Sequence, residues 1–415
     1  MKVAVIGLGT AGGAAATLLA QAGHDVTLFE RVPEPSAVGA GIVLQPTGMA
    51  VLARLGVVEA VVARGTPITR LRCTRAPGHT VVDLHYRVLG EDLYGVGLHR
   101  GVLFEALRDT ALAAGVALRL GVEIVGFERT RGGRLLVDDE GERHGPFALC
   151  VVADGARSRL AAAVQPARRQ AAYPYGALWF VARDPEGRFS GQLSQVVRGA
   201  RRMLGLLPTG LGPGANTTPL VSLFWSIRGD RLADWRRAGL AAWKAEVAAL
   251  APEAAPVLAQ IIAPDDLLFS TYHDVTMWPW DDGDAVVLGD AAHATSPQLG
   301  QGCSLALWDA MVLAECLAGA RAADVPGALD AYSRARARHL GWFQWATRWL
   351  TPFFQGDSAT LAWLRDHGMP LGARLPWVQR LMVASMCGTA SGFLGARLAL
   401  PSRPPPLALR PEATS

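Results

Sequence analysis

Lysine is nearly absent from this sequence. Lys2 and Lys244 are the only two in 415 residues, so its positive charge is carried almost wholly by arginine. The formal net charge is only +4, too small for a dedicated nucleic-acid binder, although a mildly basic surface suits anionic cofactors. Cysteine is also scarce. Cys73, Cys150, Cys303, Cys316 and Cys387 form no Cys-x-x-Cys pair and no zinc spacing, so no metal site is expected. An odd count, with no signal-peptide order after Met1-Lys2, predicts a reducing cytoplasm. One charge-free stretch, from Val3 to Gly23, is long enough to raise the question of a membrane helix. Gly7, Gly9, Gly12 and Gly13 within it would make a poor one, and a strand–turn–helix accounts for them better. No membrane span is expected, while peripheral association stays open.

Half of the residues are hydrophobic and 18% are charged, which excludes a disordered or fibrous chain. The length favours two or three domains. A strand (Lys2–Ile6), a glycine turn, a helix (11–22) and a strand (25–29) open the chain as a βαβ unit. Further helices are expected at 47–55, with Gly56 as C-cap, and at 101–114, with a buried strand at 148–152. Between Ala171 and Arg228 apolar runs separated by Gly, Pro and Asp predict an antiparallel sheet, covered by one amphipathic helix over 232–250. A strand at 284–288 and a helix at 302–320 follow. Beyond them Trp342, Phe343, Trp345, Trp349, Phe353 and Phe354 read first as a helical packing face, with a lipid-facing surface or a dimer seam as alternatives.

Three motifs carry chemistry. In Gly7-Leu-Gly9-Thr10-Ala11-Gly12 the glycines permit a tight turn, a close approach to a pyrophosphate and tight helix packing. The helix N-terminus then offers free N–H groups to phosphate. Glu30 ends the second strand 18 residues past Gly12, where a carboxylate can hold ribose hydroxyls and exclude a 2′-phosphate. Asp154-Gly155 follows a buried strand and brings a carboxylate to the carboxyl edge of the sheet. The third motif, Gly289-Asp290 through His293, Pro297, Gly300, Gln301, Gly302 and Cys303, runs into a helix. There Asp290 could bind a ribitol hydroxyl, and the free N–H groups after Gly300 could face a flavin N1 and C2 carbonyl, favouring its reduced, anionic form.

In this order the three motifs resemble the para-hydroxybenzoate-hydroxylase-like, single-component (class A) FAD-dependent aromatic monooxygenases, over roughly residues 1–345. The resemblance implies an α/β plus α+β chain. A Rossmann-like FAD-binding domain (1–72, 96–168, 276–345) would carry an inserted antiparallel-sheet substrate domain (73–95, 169–275), then a C-terminal helical region (346–400) and a disordered tail (401–415). It implies that Gly7, Gly9 and Gly12 contact the FAD pyrophosphate, and Glu30 and Arg31 the adenosine. The segment from Gly39 through Gly41 to Gln45-Pro46 would line the isoalloxazine, with Arg100 and Asp154 as further FAD contacts. Asp290 would hold the ribitol region and Pro297 would lie beside the flavin ring, the nearest to a catalytic residue. Ser304, where the family usually has asparagine, and Thr47, where Pro-Asn is common, depart from the pattern. NADH or NADPH would bind transiently, reducing a flavin that reacts with O2 to a C4a-hydroperoxyflavin and hydroxylates an aromatic or largely apolar substrate.

Gln45, Trp179, Met203 and Trp225 are the substrate-pocket candidates, with Arg183, Arg198, Arg201 and Arg202 as possible partners for a carboxylate. His293 and Cys303 read more simply as loop and packing residues than as a base and a reactive thiol. Neither lysine is placed for halogenation. A reductase or dehydrogenase of the same superfamily is the main alternative, and a non-catalytic flavin- or NAD-binding sensor a lesser one.

Overall fold

The computed structural model describes residues 1–36, 39–393 and 395–407. Its centre is a five-stranded parallel sheet ordered Ala285–Val287, Leu149–Val152, Lys2–Ile6, Asp25–Glu30, Ala117–Leu120. Leu149–Val152 and most of Lys2–Ile6, at its middle, are short apolar runs because both faces are covered, as parallel sheets require. Helices Thr10–Gln21, Arg100–Ala113 and Gly302–Cys316 pack together on this core, while Phe147 of a small three-stranded sheet meets Phe29 edge-on. The first helix ends in paired bonds from Gly23 N–H to Ala20 and from His24 N–H to Leu19, with Gly23 at φ +86°. Expected and observed boundaries in this part differ by a residue or two, except that the Gly302–Cys316 helix stops four residues short of Ala320.

The larger sheet runs Leu268–Thr276, Arg169–Arg183, Pro219–Arg228, Arg202–Leu211, Gly191–Arg198, Thr66–Arg75, Gly95–His99, Gly41–Leu44, with His79–His85 paired to Thr66–Arg75. It is antiparallel except where Gly191–Arg198 runs parallel to Thr66–Arg75. The strand Thr66–Arg75 spans the expected division at 72/73, and Gly41–Leu44 and Gly95–His99, from stretches expected to bind FAD, join the same sheet.

Alternation decides what each face of this sheet does. Val221, Leu223, Trp225 and Ile227 face a core with Trp243 and Val247, whereas Ser222, Phe224 and Ser226 face the other way. The single helix expected over 232–250 is two: Gly239 at φ +85° breaks it into Leu232–Ala238, which rests on the core only through the half-buried Leu232 and Trp235, and Leu240–Leu250.

The 30-residue helix Val325–Phe354, then Ala359–Gly372 and Pro376–Met386, complete the chain's helical part. Trp342, Phe343 and Phe354 are buried, but Trp345 and Trp349 are open to solvent, so the aromatic run is only partly a packing face. No helix among the described residues is long and apolar enough to cross a membrane. In the expected tail, residues 408–415 lie outside the described residues, while the Tyr94 hydroxyl donates to the Pro405 carbonyl at 2.7 Å.

Candidate functional site

Strand order brings the three motifs together. Leu149–Val152 lies between Lys2–Ile6 and Ala285–Val287, so their following loops emerge side by side at the carboxyl edge. Gly7, at φ +100°, runs so close to the second motif that a Cβ would lie 2.6 Å from the Ala153 carbonyl oxygen. A Cβ on Gly12 would lie 1.8 Å from the Gly7 oxygen, so the helix sits directly on the turn. Gly9 faces open space, and the helix it begins has no side-chain cap, which leaves its first N–H groups free for an anion. Glu30 is held beside this turn, accepting from Leu8 N–H at 2.8 Å and Val32 N–H at 3.0 Å. Arg31 is exposed next to it.

The third motif closes on the first. A Cβ on Gly289 would lie 3.0 Å from the Ala11 Cβ, and one on Gly302 would lie 3.7 Å from Asp290 Oδ1. The Cys303 thiol feels Arg100, Asp290 and Thr10 around it. Burial pushes it up to about 12, so it stays protonated and packs rather than reacts. Asp154 opens to solvent yet is ringed by protein, and desolvation raises its carboxyl above the usual range while Ser158 pulls the other way. Arg100 is exposed at the start of its own helix, which His99 caps by accepting from Gly101 N–H at 3.1 Å.

Gly41 comes from a strand whose backbone leaves no room for a side chain: its N–H donates to Ser222 Oγ at 2.9 Å, and a Cβ would lie 2.2 Å from Thr209 Cγ2. Gln45 is buried, accepts from the Tyr86 hydroxyl at 2.7 Å, and has its amide nitrogen 3.8 Å from where a Gly300 Cβ would stand. Its backbone N–H donates to Ser304 Oγ at 3.2 Å, so this serine ties the strand Gly41–Leu44 to the Gly302–Cys316 helix. Pro297 is exposed at the start of the turn that ends at Gly300, φ +60°. Gln301 stands in the third motif by its backbone. Its side chain turns away from the crevice and donates to the Ser385 and Met386 carbonyls at 3.0 and 2.7 Å, so only its backbone remains beside the cofactor loop.

Trp179 and Met203 lie on the sheet face that carries Phe224. Trp179 Nε1 donates to the Tyr272 hydroxyl at 3.2 Å, and Met203 packs with Phe354, Val383 and Met386 from the C-terminal helices. Trp225 does not join them. Strand parity turns it to the opposite face, where it packs edge-on against Trp243 at 6.3 Å. The arginines also point elsewhere: Arg201 pairs with Asp357 at 2.9 Å and Arg202 with Glu246 at 2.5 Å, and Arg183 and Arg198 are solvent-exposed.

A buried polar chain under the site escaped sequence reasoning. Asp309, fully buried, accepts from Gly289 N–H at 2.9 Å, from His293 Nε2 at 2.5 Å and from Arg336 Nε at 2.8 Å. Arg336 meets His339 Nδ1 at 2.7 Å, and His339 Nε2 reaches the Gly388 carbonyl at 2.8 Å. His293 and Arg336 hold the Asp309 carboxyl near 2 against its desolvation, and burial with the Arg336 charge pushes His339 down to about 3, leaving it neutral. His293 is thus a loop anchor, as expected. The available signal was a lone carboxylate inside the apolar Leu305–Leu313 run.

The residues fit FAD. Two helix N-termini without side-chain caps, at Gly9 and Gln301, border one crevice with the solvent-open Gly9, Asp154, Asp290 and Gly302, and a Cβ at Gly7 or Gly12 would collide there. Comparison with known proteins agrees. Residues 1–342 match the family model described as FAD binding domain. The aurachin C monooxygenase/isomerase of Stigmatella aurantiaca is 28% identical over 89% of this chain and 94% of its own length. The 3-amino-4-hydroxybenzoate 2-monooxygenase of Streptomyces cremeus is 31% identical over 76% of this chain and 78% of its own. In fold, Klebsiella pneumoniae HpxO, solved with FAD and uric acid, superposes with a TM-score of 0.79 over 94% of this chain and 98% of that one, at 23% identity.

Proposed function

The chain belongs to the FAD binding domain family and is an FAD-dependent monooxygenase, and on that premise we propose that it hydroxylates an apolar aromatic small molecule with O2, taking electrons from NADH or NADPH. The observation that carries this reading is the convergence of residues 7–12, 154 and 289–303 on one crevice bordered by two free helix N-termini. Bound FAD would supply the redox chemistry, accepting electrons from the nicotinamide and activating O2.

The chain's own part is binding, orientation and exclusion of water. Gly7, Gly9, Thr10, Ala11 and Gly12 would cradle the pyrophosphate, with Glu30 and Arg31 at the adenosine, Arg100 and Asp154 alongside, and Asp290 at the ribitol. The N–H groups from Gly300 to Cys303 would spread negative charge at the pyrimidine end of the ring, with Gly41, Gln45 and Pro297 around it. Trp179, Met203 and Phe224, with Phe354 and Met386 behind them, would form an apolar substrate wall. Nearby phenols can donate hydrogen bonds but are poor bases, since burial holds Tyr272 near 12 and Tyr86 well above its ordinary value. The paired or solvated arginines speak against a carboxylate-bearing substrate. Five unpaired cysteines, three of them buried, suit a reducing cytoplasm.

The purified protein is expected to be yellow and to oxidise NADH or NADPH faster with an apolar phenol or quinoline-like aromatic, placing one atom of labelled O2 in the product. Product formation without O2 would assign a reductase instead.

A further inference from the structure

We propose that the outer face of the C-terminal helices docks on an anionic phospholipid bilayer. On the Val325–Phe354 helix, Trp345 and Trp349 are 42% and 54% exposed, their rings stacked 6.0 Å apart. Phe393 is 58% exposed and lies edge-on to Trp345 at 4.5 Å. It shares an open hollow of about 380 Å³ with Trp377, itself 64% exposed. The patch is therefore continuous from one helix to the next, and it exposes the indole rings that settle at membrane–water interfaces.

Charge selects the occupant. From His367 to Leu407 the chain has four arginines and no Asp or Glu. Arg403 pairs with Asp92, whereas Arg374, Arg380 and Arg397 are exposed and form no ion pair among the described residues. Arg380 and Arg397 line the same hollow as Phe393 and Trp377. Aromatic side chains beside unpaired guanidinium groups match the acyl boundary and phosphate layer of an anionic leaflet. A second copy of this chain would bring the same uncompensated positive charge to the contact.

The geometry gives the contact a consequence. Val383 and Met386 of the Pro376–Met386 helix pack with Met203, while Trp377 and Arg380 of the same helix face the hollow. One helix thus stands between bilayer and substrate wall. The membrane contact itself does not depend on the substrate assignment.

The test is co-sedimentation of the holoenzyme with phosphatidylglycerol and with phosphatidylcholine vesicles, at low and high salt. The proposal expects binding to phosphatidylglycerol that weakens with salt, with a blue shift of tryptophan emission. Each arginine removed should lower partitioning about fivefold, so the R374Q/R380Q/R397Q variant loses on the order of a hundredfold. Its flavin spectrum and NAD(P)H oxidation without vesicles should be unchanged, and the W345Q/W377Q variant should also lose binding. No binding to phosphatidylglycerol at low salt overturns the proposal, as does binding that the arginine variant leaves intact. So does a dimer in light scattering that becomes monomeric in W345Q/W377Q, because the patch is then occupied by a second copy.

Discussion

Asp309→Asn tests the buried chain beneath the flavin loop most sharply. The substitution keeps the shape but removes the charge that compensates Arg336, whose side chain is 1% exposed. Breaking one side of a buried pair leaves an uncompensated ion and costs about 3–5 kcal/mol. Unfolding entropy near 2.1 cal/mol/K per residue gives about 0.9 kcal/mol/K for 415 residues, so Tm should fall by about 3–6 °C. The same change weakens the acceptor for Gly289 N–H, so FAD affinity should fall as well. Thermal unfolding followed by flavin fluorescence, with an FAD titration of the apoprotein, reads both. The double variant Asp309→Asn/Arg336→Met removes the stranded charge and should cost less than the two single losses added together. A wild-type Tm in Asp309→Asn, or strict additivity in the double variant, would refute the reasoning.

Acid sensitivity follows from the same chain. His339, ordinarily near 6.5, is held to about 3 in the folded state, so unfolded chains bind a proton that the native protein refuses. Its contribution is complete above pH 6.5 and is lost as pH falls toward 3. Asp309 adds to the loss as pH falls from its ordinary 3.8 toward 2. Tm measured against pH should decline below 6.5, and His339→Gln should flatten that decline; an unchanged slope would count against it. Gly12→Val should yield colourless protein, because its Cβ alone would meet the Gly7 oxygen at 1.8 Å, and absorbance after FAD addition checks this. Trp225→Ala should destabilise by about 3–5 kcal/mol in denaturant melts yet leave substrate preference intact. Met203→Ala should instead raise KM for the apolar substrate, and the reverse pattern would return Trp225 to the pocket.

The cofactor motifs were legible because their information is local: a tight turn, a free helix end and a close approach each require particular residues within a few positions. What escaped depends on distant partners. Alternation in Pro219–Arg228 was visible, but which parity lay with Phe224 depended on where the Leu240–Leu250 helix packed, so the sequence did not separate Trp225 from Trp179 and Met203. Gly239 was readable as a possible break, yet the amphipathic pattern on either side masked it. Gln301 sits in a cofactor motif, but its amide answers to carbonyls more than 80 residues away. Arg336 and His339 resemble surface residues of a long helix until Asp309 and Gly388 are brought beneath them.

The Gln301 amide has a consequence for how the protein matures. It ends on Ser385 and Met386, and the Cys387 carbonyl receives the Thr47 hydroxyl at 3.4 Å. A site begun at Gly7 to Gly12 is therefore fastened by residues far later in the chain. A nascent chain interrupted before residue 385 has every glycine of the fingerprint and the Asp309 anchor, but lacks the carbonyls that hold the Gln301 amide. Truncations from the C-terminal end should announce themselves first as loss of colour.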